Sequence, residues 1–504
     1  MPAPQPEDVR PRPMRSRAVR IVVVGGGIAG LAAAHRLVEL AAAQQVPLDL
    51  ILLEARDRLG GIIATERIED FLVEGGPDSF LAEKPWASAL CERLGIADHL
   101  IPTRDTHRRT FVVDRGRLVP LPDGFLVLGP SRLIPAWRSP LLSWRGKARM
   151  TMELLLPRGR VDGDESVGGF VTRRFGREVL DRVVQPLVSG IYGADPSTVS
   201  LAATMPRFME MERRYRSITW ALARSRARRR GAAGSGPRWN LFVTPAEGME
   251  ALVTCLARRL PPASLRLRRR VTAVGQSAGP HPWRVDLVDG TAIMSDAVIL
   301  ATPAPRTARL VSSVDPELGR LLEAVPYASS ATVTLAYRRT DLRHPLDGFG
   351  FVVPQTEGRP VLACTFSSVK YPGRAPDDHV LLRAFMGGAA HRGLLDRDDE
   401  SLVASAAQEF AALLGVHAPP RLARVHRHAA AMPHYLVGHA ERVAAMRAHA
   451  ARYPGLALAG NAYEGIGIPD CIHSGEVAAE QVMAAAAGRP DKAPAPAFRV
   501  SPIR

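Results

Sequence analysis

Arg20-Ile-Val-Val-Val-Gly25-Gly26-Gly27-Ile28-Ala29-Gly30 is the most informative segment of this chain of 504 residues. Its first half is β-branched and apolar without interruption, which is typical of a strand buried on both faces of a parallel sheet. Its second half is a GxGxxG motif, and the helix-forming run 31–37 follows at once. A strand, a glycine turn and a helix in this order form a dinucleotide-binding fingerprint, so we predict an α/β fold built on a Rossmann-like unit.

An acidic residue completes the motif at the end of the next apolar run. Residues 48–53 form a second strand-like segment, and Glu54 follows it, 24 positions after Gly30 (54 − 30). A carboxylate at this point can hold the ribose hydroxyls, while the helix N-terminus faces the pyrophosphate. The residues predicted to bind the dinucleotide here are Gly25, Gly26, Gly27, Ile28, Ala29, Gly30 and Glu54.

The chain carries a basic excess that is almost entirely arginine. It has 66 Lys and Arg against 50 Asp and Glu, a formal net charge of +16. Two explanations stay open, an arginine-favouring composition and an anionic partner such as a lipid surface or a carboxylate-bearing substrate. No zinc spacing, basic zipper pattern or aromatic RNA-binding signature accompanies the charge, so nucleic acid is not a predicted partner.

Cysteine and histidine spacing predicts neither a disulfide scaffold nor a metal site. The four cysteines are far apart and form no CxxC pair, which fits a reducing compartment. The cluster His426, His428 and His434 is interpreted as structural. No run approaches 18 uncharged apolar residues, and the N-terminal arm lacks the apolar core of a signal peptide. We therefore expect a cytoplasmic protein without a transmembrane helix.

The segment after Glu54 resembles a known superfamily. The run Ala55-Arg56-Asp57-Arg58-Leu59-Gly60-Gly61 is similar to the extension with which flavin-dependent amine oxidases and phytoene desaturases lay twin glycines along the pyrophosphate of FAD. Ile62 departs from the pattern, because amine oxidases usually place an arginine there. The resemblance implies an FAD domain assembled from separate stretches of the chain: a strand over 271–274 that reaches the adenine, a central strand over 297–301, a strand over 456–459, and a helix over 474–482 facing the flavin ring or phosphate.

A second set of motifs narrows the resemblance to one family. The run Glu74-Gly-Gly76-Pro77-Asp78-Ser79-Phe80 is similar to the G-P-x-S-F turn that protoporphyrinogen oxidases place beside the flavin. Segments 185–196, 244–249, 365–376 and 460–475 are similar to further signatures of that family. Beyond the fingerprint, the residues that the resemblance assigns to FAD binding are Ala55, Arg56, Gly60, Gly61, Ile62, Gly76, Pro77, Asp78, Ser79, Val271, Ala301, Gly460, Ile466, Gly467 and Ile468.

The resemblance implies an oxygen-dependent oxidoreductase that converts protoporphyrinogen IX to protoporphyrin IX late in haem biosynthesis. Such an enzyme removes six electrons in three two-electron steps on FAD, and dioxygen takes them up to give hydrogen peroxide. No catalytic side chain is assigned, because the chemistry belongs to the cofactor. A propionate of the substrate needs a cationic partner, and the matching position falls on Arg109 or, one residue further, on Thr110.

Three alternatives remain. Coproporphyrinogen III bears four propionates, where protoporphyrinogen IX has two propionates and two vinyl groups. An amine oxidase is disfavoured, because Ala462-Tyr463-Glu464 stands where those enzymes carry a Trp-Ser-Gly-Tyr type of segment. The third alternative is a non-catalytic FAD protein that binds a membrane or a porphyrin.

These observations predict an α/β fold with a Rossmann-like FAD-binding domain, a mixed-sheet substrate domain and a helical domain. The segment 124–150 mixes tryptophan, apolar and basic side chains, so we expect the helical domain to bind peripherally to the inner face of the cell membrane. A homodimer is left open. The expected boundaries are 20–105, 238–305 and 455–486 for FAD binding, 106–123 and 306–454 for the substrate domain, 124–237 for the helical domain, disordered tails over 1–19 and 487–504, and a flexible loop over 231–237.

Overall fold

The computed structural model describes residues 17–107, 109–159, 163–231, 242–388 and 391–486. The tails and the 231–237 loop therefore lie outside the described residues, except for 17–19 and for Gly231, which ends a helix. For residues 17–19 the prediction of disorder is wrong. Arg17 donates a hydrogen bond to Asp296 over 2.8 Å, and Val19 begins a strand because its backbone pairs with that of Leu48.

Five parallel strands of the described chain form the sheet that the fingerprint predicts. The central strand is Val19–Val24, paired with Leu48–Leu53 on one side and with Ala297–Leu300 on the other. Leu265–Arg266 and Leu456–Leu458 are the edges. The strand order reverses at the centre, and such a reversal opens a crevice for ligands at the carboxyl ends of the strands.

Two long helices cover one face of this sheet, Ile28–Gln44 and Ile468–Ala486. They pack closely because Gly475 has no side chain, and a Cβ there would overlap the carbonyl oxygen of Ala29. Helices Pro85–Leu94 and Glu250–Arg259 join the same apolar core.

The last helix begins at Ile468, six residues before the predicted start at Ser474 (474 − 468). Pro469 is tolerated in the first turn, where a backbone N–H would have no intrahelical partner. The amide of Cys471 then donates to the carbonyl oxygen of Gly467 over 3.0 Å. The glycine-rich turn after Gly460 is correspondingly shorter than predicted.

The opposite face of the five-stranded sheet packs against a small antiparallel sheet and three helices. The strands of that sheet are Val271–Gln276, Trp283–Leu287 and Ala292–Ser295, and the helices are Ala304–Val311, Pro316–Glu323 and His439–Ala450.

The second large sheet is a mixed sheet of seven strands, as predicted. Neighbouring strands in it run antiparallel except for one parallel pair, Gly350–Val352 with Thr110–Asp114. Helix Asp399–Leu414 covers one face, and its N-cap Asp398 accepts a hydrogen bond from the amide of Ser401. The strands in order across the sheet are Leu422–Pro433, Tyr327–Arg338, His379–Gly387, Val361–Phe366, Gly350–Val352, Thr110–Asp114 and Arg117–Pro120.

The other face of the seven-stranded sheet packs against a helical region, with Val112, Val352 and Ala363 in one core with the helices. Among the described residues, no helix is long and apolar enough to cross a membrane. The helices of this region are Leu133–Arg138, Trp144–Thr151, Val167–Phe175, Arg177–Val179, Gln185–Tyr192, Leu201–Thr204, Pro206–Tyr215 and Ile218–Gly231, and a π-helical turn spans Leu180–Val184.

Short strands connect the two large sheets. The hairpin Thr65–Ile68 and Phe71–Glu74 follows the twin glycines, and Phe242–Pro245 pairs with both Phe80–Leu81 and Leu100–Pro102. Turns carry the motif 74–80 from the hairpin into the interior, and helix Pro85–Leu94 lies between Phe80–Leu81 and Leu100–Pro102.

Candidate cofactor site

The fingerprint turn has the shape that a pyrophosphate requires. Gly25 has a φ of +109°, and a Cβ there would lie 2.6 Å from the carbonyl oxygen of Ala301, so only glycine fits. A Cβ on Gly27, in contrast, would have no described atom within 4 Å. Gly27 is the N-cap of helix Ile28–Gln44, whose first amides have no intrahelical partner. An open space therefore adjoins the positive end of a helix, which favours an anionic group.

The carboxylate of Glu54 is fixed against the same turn. One of its oxygens accepts a hydrogen bond from the amide of Gly26 over 2.7 Å, and the other accepts from the amide of Arg56 over 2.8 Å. Ala55 and Arg56 are exposed beside it. The acid at the end of the second strand is thus held against the fingerprint turn.

The twin glycines lie on the fingerprint. The amide of Gly60 donates to the carbonyl oxygen of Gly26 over 2.8 Å, and a Cβ on Gly61 would lie 3.3 Å from the Cα of Gly27. Ile62, the residue that departs from the superfamily pattern, is 40% exposed. Its carbonyl oxygen leaves no room for a Cβ on Gly76. The segment 60–62 therefore contacts both the fingerprint and the motif 74–80, although the chain reaches that motif only through the hairpin 65–74.

The later cofactor residues assigned by resemblance lie at the carboxyl ends of strands or beside the sheet. The amide of Ala301 donates to the carbonyl oxygen of Val24 over 2.9 Å, and Val271 packs against the core of the five-stranded sheet. Gly460 has a φ of +126°, and no described atom lies within 4 Å of a Cβ built on it. Ile466, Gly467 and Ile468 follow as the turn into the last helix.

Five charged residues lie in the turn 76–79 or next to it, and we call them the buried charge cluster: Glu74, Asp78, Lys370, Arg374 and Arg383. The Nζ atom of Lys370 lies 3.1 Å from a carboxylate oxygen of Asp78. Arg383 is 3% exposed and donates to the carbonyl oxygens of Gly75 and Gly76. Burial of this much charge requires partners, and each member has at least one.

The two remaining members of the cluster tie it to the segment 244–249. A carboxylate oxygen of Glu74 accepts from the amide of Met249 over 2.9 Å. The guanidinium of Arg374, 2% exposed, donates to the carbonyl oxygen of Ala246 over 2.8 Å and to the Oγ1 atom of Thr244 over 3.2 Å. Three separate motifs, 74–80, 244–249 and 365–376, therefore meet at one point.

The two carboxyl groups of the cluster have opposite pKa shifts. Burial raises the pKa of Glu74 to about 7, and hydrogen bonds from Met249 and Thr65 only partly offset it. Burial acts in the same direction on Asp78, but the nearby charges of Lys370 and Arg383 outweigh it and lower its pKa to about 2. Near pH 7, Asp78 is ionised and Glu74 is partly protonated.

The sequence reasoning missed most of this cluster. Lys370 and Arg374 stand inside the motif 365–376, so their segment was found but not their role. Arg383 was overlooked, since a single arginine in an arginine-rich chain is unremarkable by sequence. The apolar strand around Arg383 was the available signal, because a charged residue at an otherwise buried position needs a partner.

Two residues of the histidine cluster, His426 and His428, lie in the same neighbourhood. The Nε2 atom of His426 lies 2.9 Å from a carboxylate oxygen of Glu66, and that of His428 lies 2.9 Å from the carbonyl oxygen of Gly75. Within the described ranges, no group of three or more His, Cys, Asp or Glu residues could hold a metal ion.

The structure separates the two candidates for the propionate contact. Arg109 is exposed, and its guanidinium lies 3.0 Å from a carboxylate oxygen of Asp347. Thr110 begins a strand and pairs with Gly350 on the next strand. The same row continues across the sheet through Thr365 to Arg383. Residues paired across neighbouring strands share a face of the sheet, so Thr110 lies on the face of the buried charge cluster.

These residues fit FAD. Open space at Gly27 and Gly460 would give the cofactor room, the oriented carboxylate of Glu54 would accept from its ribose, and the helix N-terminus at Ile28 would face its phosphates. The fold and this cradle define a flavin-binding oxidoreductase.

Comparison with known proteins narrows this class. The family model described as "Flavin containing amine oxidoreductase" matches residues 28–483. The chain is 36% identical to the coproporphyrinogen III oxidase of Propionibacterium freudenreichii (94% of this chain, 92% of that protein) and 32% identical to that of Bacillus subtilis (92% and 97%). It is 31% identical to the protoporphyrinogen oxidase of Homo sapiens (92% and 98%). The chain therefore belongs to the flavin-containing amine oxidoreductases and, within them, to the family of porphyrinogen oxidases, as the motifs predicted.

Solved structures agree with the fold. A crystal structure from Exiguobacterium sp. 255-15 has a TM-score of 0.80 at 32% identity and covers 92% of this chain and 99% of its own. Reduced UDP-galactopyranose mutase, at 17% identity and a TM-score of 0.68, covers 93% of this chain and 98% of its own and shares the fold alone. The cofactor prediction of FAD is confirmed by the family.

Proposed function

We propose that this protein uses FAD and dioxygen to oxidise coproporphyrinogen III to coproporphyrin III. The observation that carries the porphyrinogen assignment is the buried charge cluster, because it joins three motifs of the porphyrinogen oxidase family in one contact network. The choice of substrate departs from our expectation of protoporphyrinogen IX. It rests on the bacterial relatives at 32% and 36% identity, which are named for coproporphyrinogen III.

The proposed reaction balances without a catalytic base from the protein. The macrocycle loses six electrons and six protons, and three dioxygen molecules become three hydrogen peroxide molecules. When bound, FAD supplies a two-electron acceptor. In this proposal, the residues of this chain bind the cofactor and the macrocycle and exclude water from the space between them. Helix Gln185–Tyr192 closes on the seven-stranded sheet, where a Cβ on Gly190 would lie 3.5 Å from that of Ala363.

Protoporphyrinogen IX is the second candidate substrate. The human protoporphyrinogen oxidase is nearly as similar, at 31% identity, and covers the chain equally well. Both candidates are carboxylates, and the net charge of +16 favours anionic ligands of either kind. An amine substrate has no comparable support, because the putrescine oxidase structures are only about as similar as the mutase, with 15% identity in the first of them.

We also propose that the helical region contacts the inner face of the cell membrane. Large apolar side chains are exposed there, with Trp144 73% exposed and Leu155 78% exposed. The Nζ atom of Lys147 lies 5.1 Å from the ring centroid of Trp144, so cation and aromatic ring share one surface. Such a surface suits the headgroup region of an anionic bilayer. Flotation with anionic and neutral vesicles tests this, and a Trp144→Ser variant that floats like the parent protein would argue against it.

The experiment that tests the main proposal is porphyrin fluorescence. The purified holoprotein is supplied in air with coproporphyrinogen III and protoporphyrinogen IX separately, with an enzyme-free control for autoxidation and with measurement of hydrogen peroxide. We expect faster turnover of coproporphyrinogen III and one peroxide per two electrons. Faster turnover of protoporphyrinogen IX would reverse the choice of substrate. Turnover of neither, with FAD bound, would refute the function and leave a non-catalytic FAD protein.

A further inference from the structure

The buried charge cluster carries more positive than negative charge. It contains the cations Lys370, Arg374 and Arg383 against the two carboxyl groups of Glu74 and Asp78. The surplus is one positive charge when both carboxylates are ionised, and it grows when Glu74 is protonated. Charges in a largely buried site are screened much less than charges in water.

The cluster lies one peptide segment from the cofactor cradle. Gly61 contacts the fingerprint at Gly27, the next residue is Ile62, and the carbonyl oxygen of Ile62 packs against Gly76. Asp78 lies two residues beyond Gly76, and Arg383 is hydrogen-bonded to the Gly76 carbonyl oxygen.

The ion pair of Asp78 and Lys370 is held by contacts on both sides. The Oγ atom of Ser79 donates to Asp78 over 2.7 Å. The Nζ atom of Lys370 lies 5.0 Å from the ring centroid of Tyr371 and 5.5 Å from that of Phe242. Lys370 is 15% exposed in its side chain and Asp78 18%, so the pair is fixed in place and largely removed from water.

We propose that Asp78 and Lys370 are positioning residues that set the reduction potential of the bound flavin, with Lys370 raising it and Asp78 lowering it. Reduction adds electrons to the cofactor, so positive charge nearby favours the reduced form and negative charge opposes it. The inference rests on the FAD site and not on the porphyrinogen substrate. This inference and the proposed porphyrinogen oxidation can therefore fail separately, because the reduction potential is measured without substrate.

The test is the midpoint potential of the holoprotein, determined by equilibration with a redox dye during slow reduction. Asp78→Asn should raise the potential, Lys370→Met should lower it, and the double variant should return towards the parent value. Lys370→Arg keeps the charge and should restore the potential if Lys370→Met lowers it. The matched controls are Glu317→Gln and Arg320→Met, an exposed ion pair on helix Pro316–Glu323, which should leave the potential unchanged.

The signs of the shifts decide the outcome. A loss of geometry alone would move Asp78→Asn and Lys370→Met in the same direction, and that result, or no shift in either, would overturn the proposal. If Asp78→Asn fails to bind FAD, the comparison of Lys370→Met with Lys370→Arg still decides, because equal potentials in these two would exclude a role for the charge.

Discussion

The Nζ atom of Lys370 lies 3.1 Å from a carboxylate oxygen of Asp78, although 292 positions of sequence separate the two residues. Their segments are similar to two separate signatures of one enzyme family, and only the fold shows that these signatures are in contact. The contact lies at the junction of the two large sheets, where the chain passes from the cofactor cradle to the seven-stranded sheet.

Gly27→Val should weaken cofactor binding without unfolding the protein. The space in front of Gly27 has no described atom within 4 Å of a Cβ, and its φ of −71° is accessible to any residue. The added side chain therefore occupies the place of the pyrophosphate. We expect FAD affinity to fall at least about tenfold, or about 1.4 kcal/mol, while the melting temperature of the apoprotein stays unchanged. Flavin fluorescence titration measures the affinity, and Gly275→Val, also with open space, is the control.

Glu74→Gln should remove a pH dependence of stability. The folded protein holds a proton on Glu74 up to a pKa of about 7, whereas the unfolded chain releases it near 4.5. Between these values the folded state binds more protons, so the free energy of unfolding falls as pH rises, by about 3 kcal/mol for this group. Denaturation midpoints from pH 4.5 to 8 should show a flatter profile in the variant. A parallel profile would contradict the assignment.

Arg174→Met should destabilise the helical region. The guanidinium of Arg174 lies 2.6 Å from a carboxylate oxygen of Glu153, and both side chains are almost fully buried. Removing one partner leaves a buried charge uncompensated, which costs about 3–5 kcal/mol. Asp181→Ala, which breaks an exposed ion pair with Arg177 on the same region, should cost less than about 1 kcal/mol. Equal destabilisation by the two variants in urea titrations would rule out this account.

Arg109→Ala should leave the apparent KM for porphyrinogen nearly unchanged, because Arg109 is paired with Asp347 and exposed.

Thr110→Arg should lower the KM for porphyrinogen with little change in kcat, since it adds a cation to the face that Thr110 shares with Arg383. Steady-state kinetics on both variants measure this. A raised KM in Arg109→Ala would return Arg109 to the substrate site.

Much of the fold was predictable because local chemistry determined it. The β-branched run before Gly25 has few structures open to it, and the glycines of the fingerprint are required by contacts such as that of Gly25 with Ala301. The helix start at Ile468 was missed because Gly465, Gly467 and Pro469 suggest a turn by sequence. Tertiary packing on Ala29 is what requires Gly475 and so permits a glycine inside that helix.

The charge cluster was beyond sequence reasoning for a different reason. Whether an arginine is solvated or buried depends on what the fold places against it, and Arg383 meets its partners Gly75 and Gly76 across more than 300 positions of sequence. The choice between Arg109 and Thr110 likewise required the strand register, because a shift of one residue moves a side chain to the other face of the sheet.

The five-stranded sheet draws its strands from residues 19 to 458, with the last helix ending at 486. During translation the amino-terminal fingerprint therefore emerges long before the strand Leu456–Leu458 and helix Ile468–Ala486 that complete its unit. Until then the nascent chain has an exposed, unfinished sheet edge, which is the kind of surface that chaperones protect. We therefore expect flavin loading to follow the synthesis of helix Ile468–Ala486, and a chain truncated before 456 should accumulate without cofactor.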